Sequence, residues 1–94
     1  MANISIVMPV YNGEKHIKES ILSVLKQSYK DFELIVVNDA STDRTQEIID
    51  SFSDERIKCI TCERNRHVAY AANLGLANAT GKYIARLDSD DIWN

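Results

Sequence analysis

A chain of 94 residues with 45% hydrophobic and 27% charged side chains builds one modest core, burying roughly 60 to 70% of its unfolded surface, and is too poor in proline and glycine for a linker or disordered tail. Its formal net charge of -3 offers no basic field to a phosphate backbone, so no nucleic-acid partner is expected. No apolar run approaches the ~18 to 20 residues of a membrane span, and the start Met1-Ala2-Asn3 lacks the basic segment of a signal peptide, so a soluble, cytoplasmic protein is expected.

The first element is the β-branched run Ile4-Ser5-Ile6-Val7-Met8. Pro9 removes a backbone donor and forces Met8 into extended geometry, so the strand is expected to end there. After a turn at Asn12-Gly13, Ile17, Ile21, Leu22, Val24 and Leu25 recur at helical spacing with Lys15, Lys18, Glu19 and Lys26 opposite, which predicts an amphipathic helix.

A second strand reads Phe32-Glu33-Leu34-Ile35-Val36-Val37, nearly continuous in apolar residues, the pattern of a parallel strand covered on both faces. The polar run Asn38-Asp39-Ala40-Ser41-Thr42-Asp43 follows, and Asp43 with Gln46 three residues on predicts a capped helix carrying Ile48, Ile49 and Phe52. Ile57 to Thr61 is the third strand, and the segment from Val68 to Ala79 is rich in alanine, a good helix former. Gly81 stands where a left-handed cap ends that helix, and Tyr83-Ile84-Ala85-Arg86-Leu87 is a fourth strand running into Asp88-Ser89-Asp90-Asp91.

Strands alternating with helices at this spacing specify right-handed βαβ units. The fold class is therefore α/β, a Rossmann-like βαβαβαβ parallel sheet with helices on both faces, and residues 1–94 form a single domain without repeats. Cys59 and Cys62 have Cys-x-x-Cys spacing, but no second pair completes four ligands, and residues three apart on a strand point to opposite faces, so both are expected to be packing thiols.

In an open parallel sheet, ligands bind beyond the carboxyl ends of the strands. Three strands deliver polar residues there: Pro9-Val10-Tyr11-Asn12, Asn38-Asp39 and Asp88-Ser89-Asp90-Asp91. No Gly-x-Gly-x-x-Gly or Walker-type loop is present, so a cation rather than a glycine-rich nest is needed to neutralise bound phosphates. Two carboxylates ~4 Å apart repel by about 4 kcal/mol at an effective dielectric of ~20, and a divalent ion between Asp88 and Asp90 removes that cost. Oxygen-only ligands favour Mg²⁺ or Mn²⁺. The rival reading is a solvated acidic turn with splayed side chains.

The combination resembles the inverting family-2 glycosyltransferases of the GT-A fold. Four motifs carry the likeness: Met8-Pro9-Val10-Tyr11-Asn12, Val37-Asn38-Asp39-Ala40-Ser41-Thr42-Asp43, Asn73-Leu74-Gly75, and Gly81-Lys82-Tyr83-Ile84 leading to Leu87-Asp88-Ser89-Asp90-Asp91. The resemblance implies that Pro9, Val10, Tyr11 and Asp39 hold the nucleotide of a nucleoside-diphosphate sugar, with Asp39 accepting a hydrogen bond from the base. It implies further that Asp88, Ser89 and Asp90 meet the ribose and diphosphate, with Asp88 and Asp90 binding Mn²⁺ or Mg²⁺ and Asp90 the direct ligand. Glu14 is a further candidate for the donor pocket, its rival role being a charge at a helix N-terminus. Tyr11 has the rival role of packing over the first helix, and Asp39 that of a turn or capping residue; His16 and His67 read as surface residues, and Trp93 as either core or sugar-facing wall.

Two departures from the family pattern stand out: His67 where relatives usually carry glycine, and Ala72 where they usually carry an arginine suited to the diphosphate. The resemblance puts the acceptor pocket and general base beyond residue 94, so the 94-residue chain by itself is expected to be inactive. A UDP-sugar donor, a glycan or lipid-linked acceptor, peripheral attachment to the inner membrane face, and self-association are the partners and setting implied. The alternatives are a flavodoxin-like receiver with an acidic Mg²⁺ site, which needs five strands, and a noncatalytic interaction module.

Overall fold

The structure is a computed structural model describing residues 3–27, 30–65 and 68–87. Its strands are β1 (Ile4–Val10), β2 (Phe32–Asn38), β3 (Ile57–Thr61) and β4 (Tyr83–Arg86), and its helices α1 (Ile17–Leu25), α2 (Thr45–Asp50) and α3 (Val68–Ala77). The strands form one sheet of order β3-β2-β1-β4, every pairing parallel. The expected α/β class, element order and parallel sheet are all present.

Strand periodicity sorts the core into two layers. On one face Ile6, Met8, Val10, Leu34 and Val36 pack with Ile17, Ile21 and Val24 of α1 and Ile49 of α2. On the other, Ile35 and Val37 pack with Ala71 of α3. All seven residues of β2 are buried, which is why its sequence is nearly continuous in apolar residues rather than alternating. Each fully buried aliphatic side chain contributes about 1.5 to 3 kcal/mol to this packing.

Glu33 interrupts that run with a charge, and its 3% exposed carboxylate organises the amino-terminal end of the sheet. It accepts hydrogen bonds from Ser5 Oγ, Thr80 N (2.7 Å), Thr80 Oγ1 (2.9 Å) and Lys58 Nζ (2.6 Å). Burial by itself raises its pKa, but Lys58, Ser5 and Thr80 outweigh burial and hold it at about 2. One carboxylate thereby ties together β1, β3 and the loop entering β4.

Several boundaries differ from the sequence expectation. β1 continues through Pro9 to Val10. Val7 O accepts Leu87 N–H at 3.0 Å on the β4 side, and Val10 O accepts Asp39 N–H at 2.8 Å on the β2 side. Backbone groups alternate in direction, so Pro9 faces the β4 side beyond the β4 ladder, where no donor is needed. Gly81 does not adopt a left-handed conformation. It is required for space, because a Cβ there would lie 2.6 Å from Ser5 N and 2.7 Å from Ser5 Oγ. Gly75 likewise permits close approach of α3 to the sheet, its hypothetical Cβ falling 2.4 Å from Val7 Cγ1. The capping arrangement is also different: Asp43 Oδ1 accepts Thr45 N–H at 3.0 Å, while Gln46 turns away toward Asn38 and Thr61. Cys59 is exposed rather than packed and contacts Gln46 on the α2 side, while Cys62 packs on the α3 side, the opposite faces that strand geometry requires.

Candidate functional site

The chain runs from β1 through α1, β2 and α2 to β3 in one direction across the sheet, then returns through α3 to place β4 on the other side of β1. The strand order therefore reverses beside β1, and the crevice at such a reversal is the ligand-binding location of open α/β sheets. Val10 and Asn38 are register partners at this end, so the loops after β1 and β2 leave the sheet side by side.

Asp39 N–H donates to Val10 O at 2.8 Å, closing the junction between the two loops. Above it the loops interlock. Asn12, in the left-handed region at φ 51°, donates its N–H to Ser41 Oγ at 2.9 Å and accepts Thr42 N–H on Oδ1 at 2.7 Å. Gly13 N–H donates to Thr45 Oγ1 at 2.9 Å and Glu14 N–H to Asp43 Oδ2 at 3.2 Å. Asp43 thus serves both loops. Burial raises its pKa, but the Thr45 hydroxyl and amide and the Glu14 amide together hold its carboxyl below the usual range.

Pro9, Val10, Tyr11 and Asp39 are brought to one rim. Pro9 and Val10 are buried at the strand end, Tyr11 is 49% exposed beside them, and Asp39 is 2% exposed. Glu14 is exposed and joins the network through its backbone. His16 is exposed at the start of α1, as expected. Leu87, the last described residue, is buried against the α1 side of the core, and its N–H bonds to Val7 O. Asp88, Ser89, Asp90, Arg66, His67 and Trp93 lie outside the described residues. Among the described residues no group of three or more His, Cys, Asp or Glu side chains is arranged to hold a metal.

Ala72 lines a cavity of about 200 Å³ together with Val7, Asn73, Leu76, Ile84 and Arg86. Arg86 therefore borders the hollow beside Ala72.

Sequence reasoning placed a turn at Asn12-Gly13 and a polar run through Ser41 and Thr42, but missed that these residues pair with each other and that Thr45 joins them. Asn12-Gly13 did carry a signal, since asparagine is enriched at positive φ. Thr45, fully buried at the head of α2, is legible only from its partner 32 residues away.

A four-stranded parallel sheet with helices on both faces and two interlocked loops at its reversal point defines a Rossmann-like unit of the GT-A type. The glycosyl transferase family 2 model matches residues 5–94, and the chain belongs to that family. It is 51% identical over 90 residues to the Escherichia coli protein WfgD, a UDP-Glc:alpha-D-GlcNAc-diphosphoundecaprenol beta-1,3-glucosyltransferase, covering 96% of this chain and 36% of that protein. It is 42% identical over 92 residues to the Bacillus subtilis putative teichuronic acid biosynthesis glycosyltransferase TuaG, again 96% and 36%. Among solved structures, S. aureus TarS 1-349 in complex with UDP superposes with a TM-score of 0.90 at 34% identity, covering 98% of this chain and 28% of that one. The mannosyltransferase PcManGT from Pyrobaculum calidifontis, in complex with GDP-Man and Mn²⁺, gives 0.89 at 28% identity, covering 97% and 28%. The chain thus spans about a third of the length of these relatives. Family membership sets aside the receiver alternative.

Proposed function

We propose that this chain forms the donor- and metal-binding part of an inverting glycosyltransferase that uses a nucleoside-diphosphate sugar, a UDP-sugar first. The observation that carries the reading is the Asp39-to-Val10 junction, which joins two loops at the reversal of strand order in a fold that TarS shares in its complex with UDP. Pro9, Val10 and Tyr11 wall the base and ribose, Asp39 accepts from the base, and Glu14 borders the pocket. Asp88, Ser89 and Asp90 meet the ribose and diphosphate. Asp88 and Asp90 hold Mn²⁺ or Mg²⁺, a hard ion suited to oxygen donors.

The reaction follows from these parts. A general base in the remainder of the enzyme takes the proton of an acceptor hydroxyl, whose oxygen attacks the anomeric carbon as the bond to the diphosphate oxygen breaks. A divalent ion held by Asp88 and Asp90 would supply charge stabilisation to the departing nucleoside diphosphate. WfgD, whose name includes a diphosphoundecaprenol-linked substrate, supports a lipid-linked acceptor and peripheral placement on the inner membrane face. Among the described residues no helix is long and apolar enough to cross a membrane.

Calorimetric titration of the 94-residue chain with nucleoside diphosphates, with and without Mn²⁺, tests the reading. UDP binding is expected to weaken about tenfold or more in chelator, the scale of losing one charge-assisted contact of about 1.5 to 3 kcal/mol, and Asp90→Ala is expected to abolish the metal dependence. Nucleotide binding indifferent to both chelator and substitution would overturn it.

A further inference from the structure

Gln46 stands on α2 and bonds to the end of β2, to β3 and to its own helix. Its Oε1 accepts Asn38 Nδ2–H at 2.8 Å and Thr61 Oγ1–H at 2.9 Å, and its Nε2 donates to Asp50 Oδ1 at 2.9 Å. Asn38 is the last residue of β2 and 1% exposed. Its Oδ1 accepts Ser41 N–H at 3.0 Å and its carbonyl accepts Cys62 N–H at 2.9 Å.

These bonds carry a direction. A carboxylate only accepts, so Asp50 obliges Gln46 to present its NH₂ end outward and its oxygen inward. That oxygen obliges Asn38 to present its NH₂ end to α2, which leaves Asn38 Oδ1 facing Ser41 N–H. Ser41 Oγ in turn accepts Asn12 N–H at 2.9 Å. A flipped Asn38 amide would set two donors against each other at Ser41 and two acceptors against each other at Gln46.

We infer that Gln46 is a positioning residue: it fixes the amide orientation of Asn38, and through Asn38 the loop of residues 39–43 that presents Asp39 and receives the first loop. The link to nucleotide affinity rests on the proposed function, whereas the link to loop order does not.

Two measurements decide it. In Gln46→Leu, amide hydrogen exchange at Ser41 and Thr42 is expected to accelerate about tenfold, the scale of one lost hydrogen bond, while the β2 core amides of Ile35 and Val36 keep their wild-type rates. A merely structural role would accelerate both sets together. The double variant Gln46→Glu with Asp50→Asn restores the same direction, since the new side-chain amide at position 50 donates and the new carboxylate at position 46 accepts, and is expected to return Ser41 and Thr42 to within about threefold of wild type. Unchanged exchange at Ser41 and Thr42, equal acceleration of the core, or failure of the double variant to rescue would each overturn the inference. In the second measurement, UDP affinity falls about fivefold in Gln46→Leu and recovers in the double variant. A wild-type chain that binds no nucleotide sinks the functional reading, and the exchange arm still decides Gln46.

Discussion

Asn12 and Thr42, thirty residues apart, are joined by the 2.7 Å hydrogen bond from Thr42 N–H to Asn12 Oδ1. Asn12 supplies two things at once: a residue tolerant of φ 51° and an acceptor of the right reach. Asn12→Gly keeps the backbone freedom and loses the acceptor, whereas Asn12→Ala loses both. Urea denaturation is expected to show a loss of about 1 kcal/mol for the glycine variant and about 2 for the alanine variant. Equal stability of both variants and wild type would show that the interlock does not hold the loops.

Glu33 governs the acid stability of the sheet. Its pKa falls from an ordinary 4.5 to about 2 on folding, so the folded state binds its proton less readily than the unfolded state. The stabilisation is complete above about pH 4.5 and is lost as pH falls toward 2; at about 1.36 kcal/mol per pH unit it amounts to about 3 kcal/mol. Glu33→Gln should therefore cost about that much at pH 7, and the difference from wild type should shrink steadily between pH 4.5 and 2. Asp54, held at about 2 first by its hydrogen bonds from Arg56, titrates alike in both proteins and cancels. Lys58 is 57% exposed, so Lys58→Ala is expected to cost only about 1 kcal/mol. A stability difference between wild type and Glu33→Gln that stays constant down to pH 2 would remove the carboxylate from its assigned role.

What could be read from the sequence was whatever depends on near neighbours. Short apolar runs, helical spacing and alanine content placed the strands and helices of the described residues because these signals act locally, and β2 announced its double coverage through uninterrupted apolar residues. Partners distant in sequence left weaker marks. Gly81 looks like a helix cap, yet it is there for Ser5, seventy-six residues earlier. Glu33 read only as a member of a nearly continuous apolar run, and nothing local names Lys58, Ser5 and Thr80 as its partners. The rim that gathers Val10, Tyr11 and Asp39 was legible from topology, because parallel strands send their carboxyl ends to one side. The loop network that stiffens the rim was not, since Asn12, Ser41 and Thr45 are ordinary turn and capping residues until their partners are known.

Ala40, next to Asp39, adopts φ 58°, a conformation that costs a residue with a Cβ roughly 1 to 2 kcal/mol. The Ser41 N–H bond to Asn38 on one side and the Asp39 N–H bond to Val10 on the other pin it there. Ala40→Gly removes the strain but adds freedom to the unfolded chain worth about 0.5 to 1 kcal/mol, so it is expected to leave stability unchanged or slightly raised. Ala40→Val, branched at Cβ, is expected to lose about 2 kcal/mol relative to glycine, because it resists the left-handed region most. Thermal melts of the three proteins should order them glycine at or above alanine, and alanine above valine. A valine variant as stable as wild type would mean that residue 40 does not hold this backbone conformation, and the loop geometry around Asp39 would have to be redrawn.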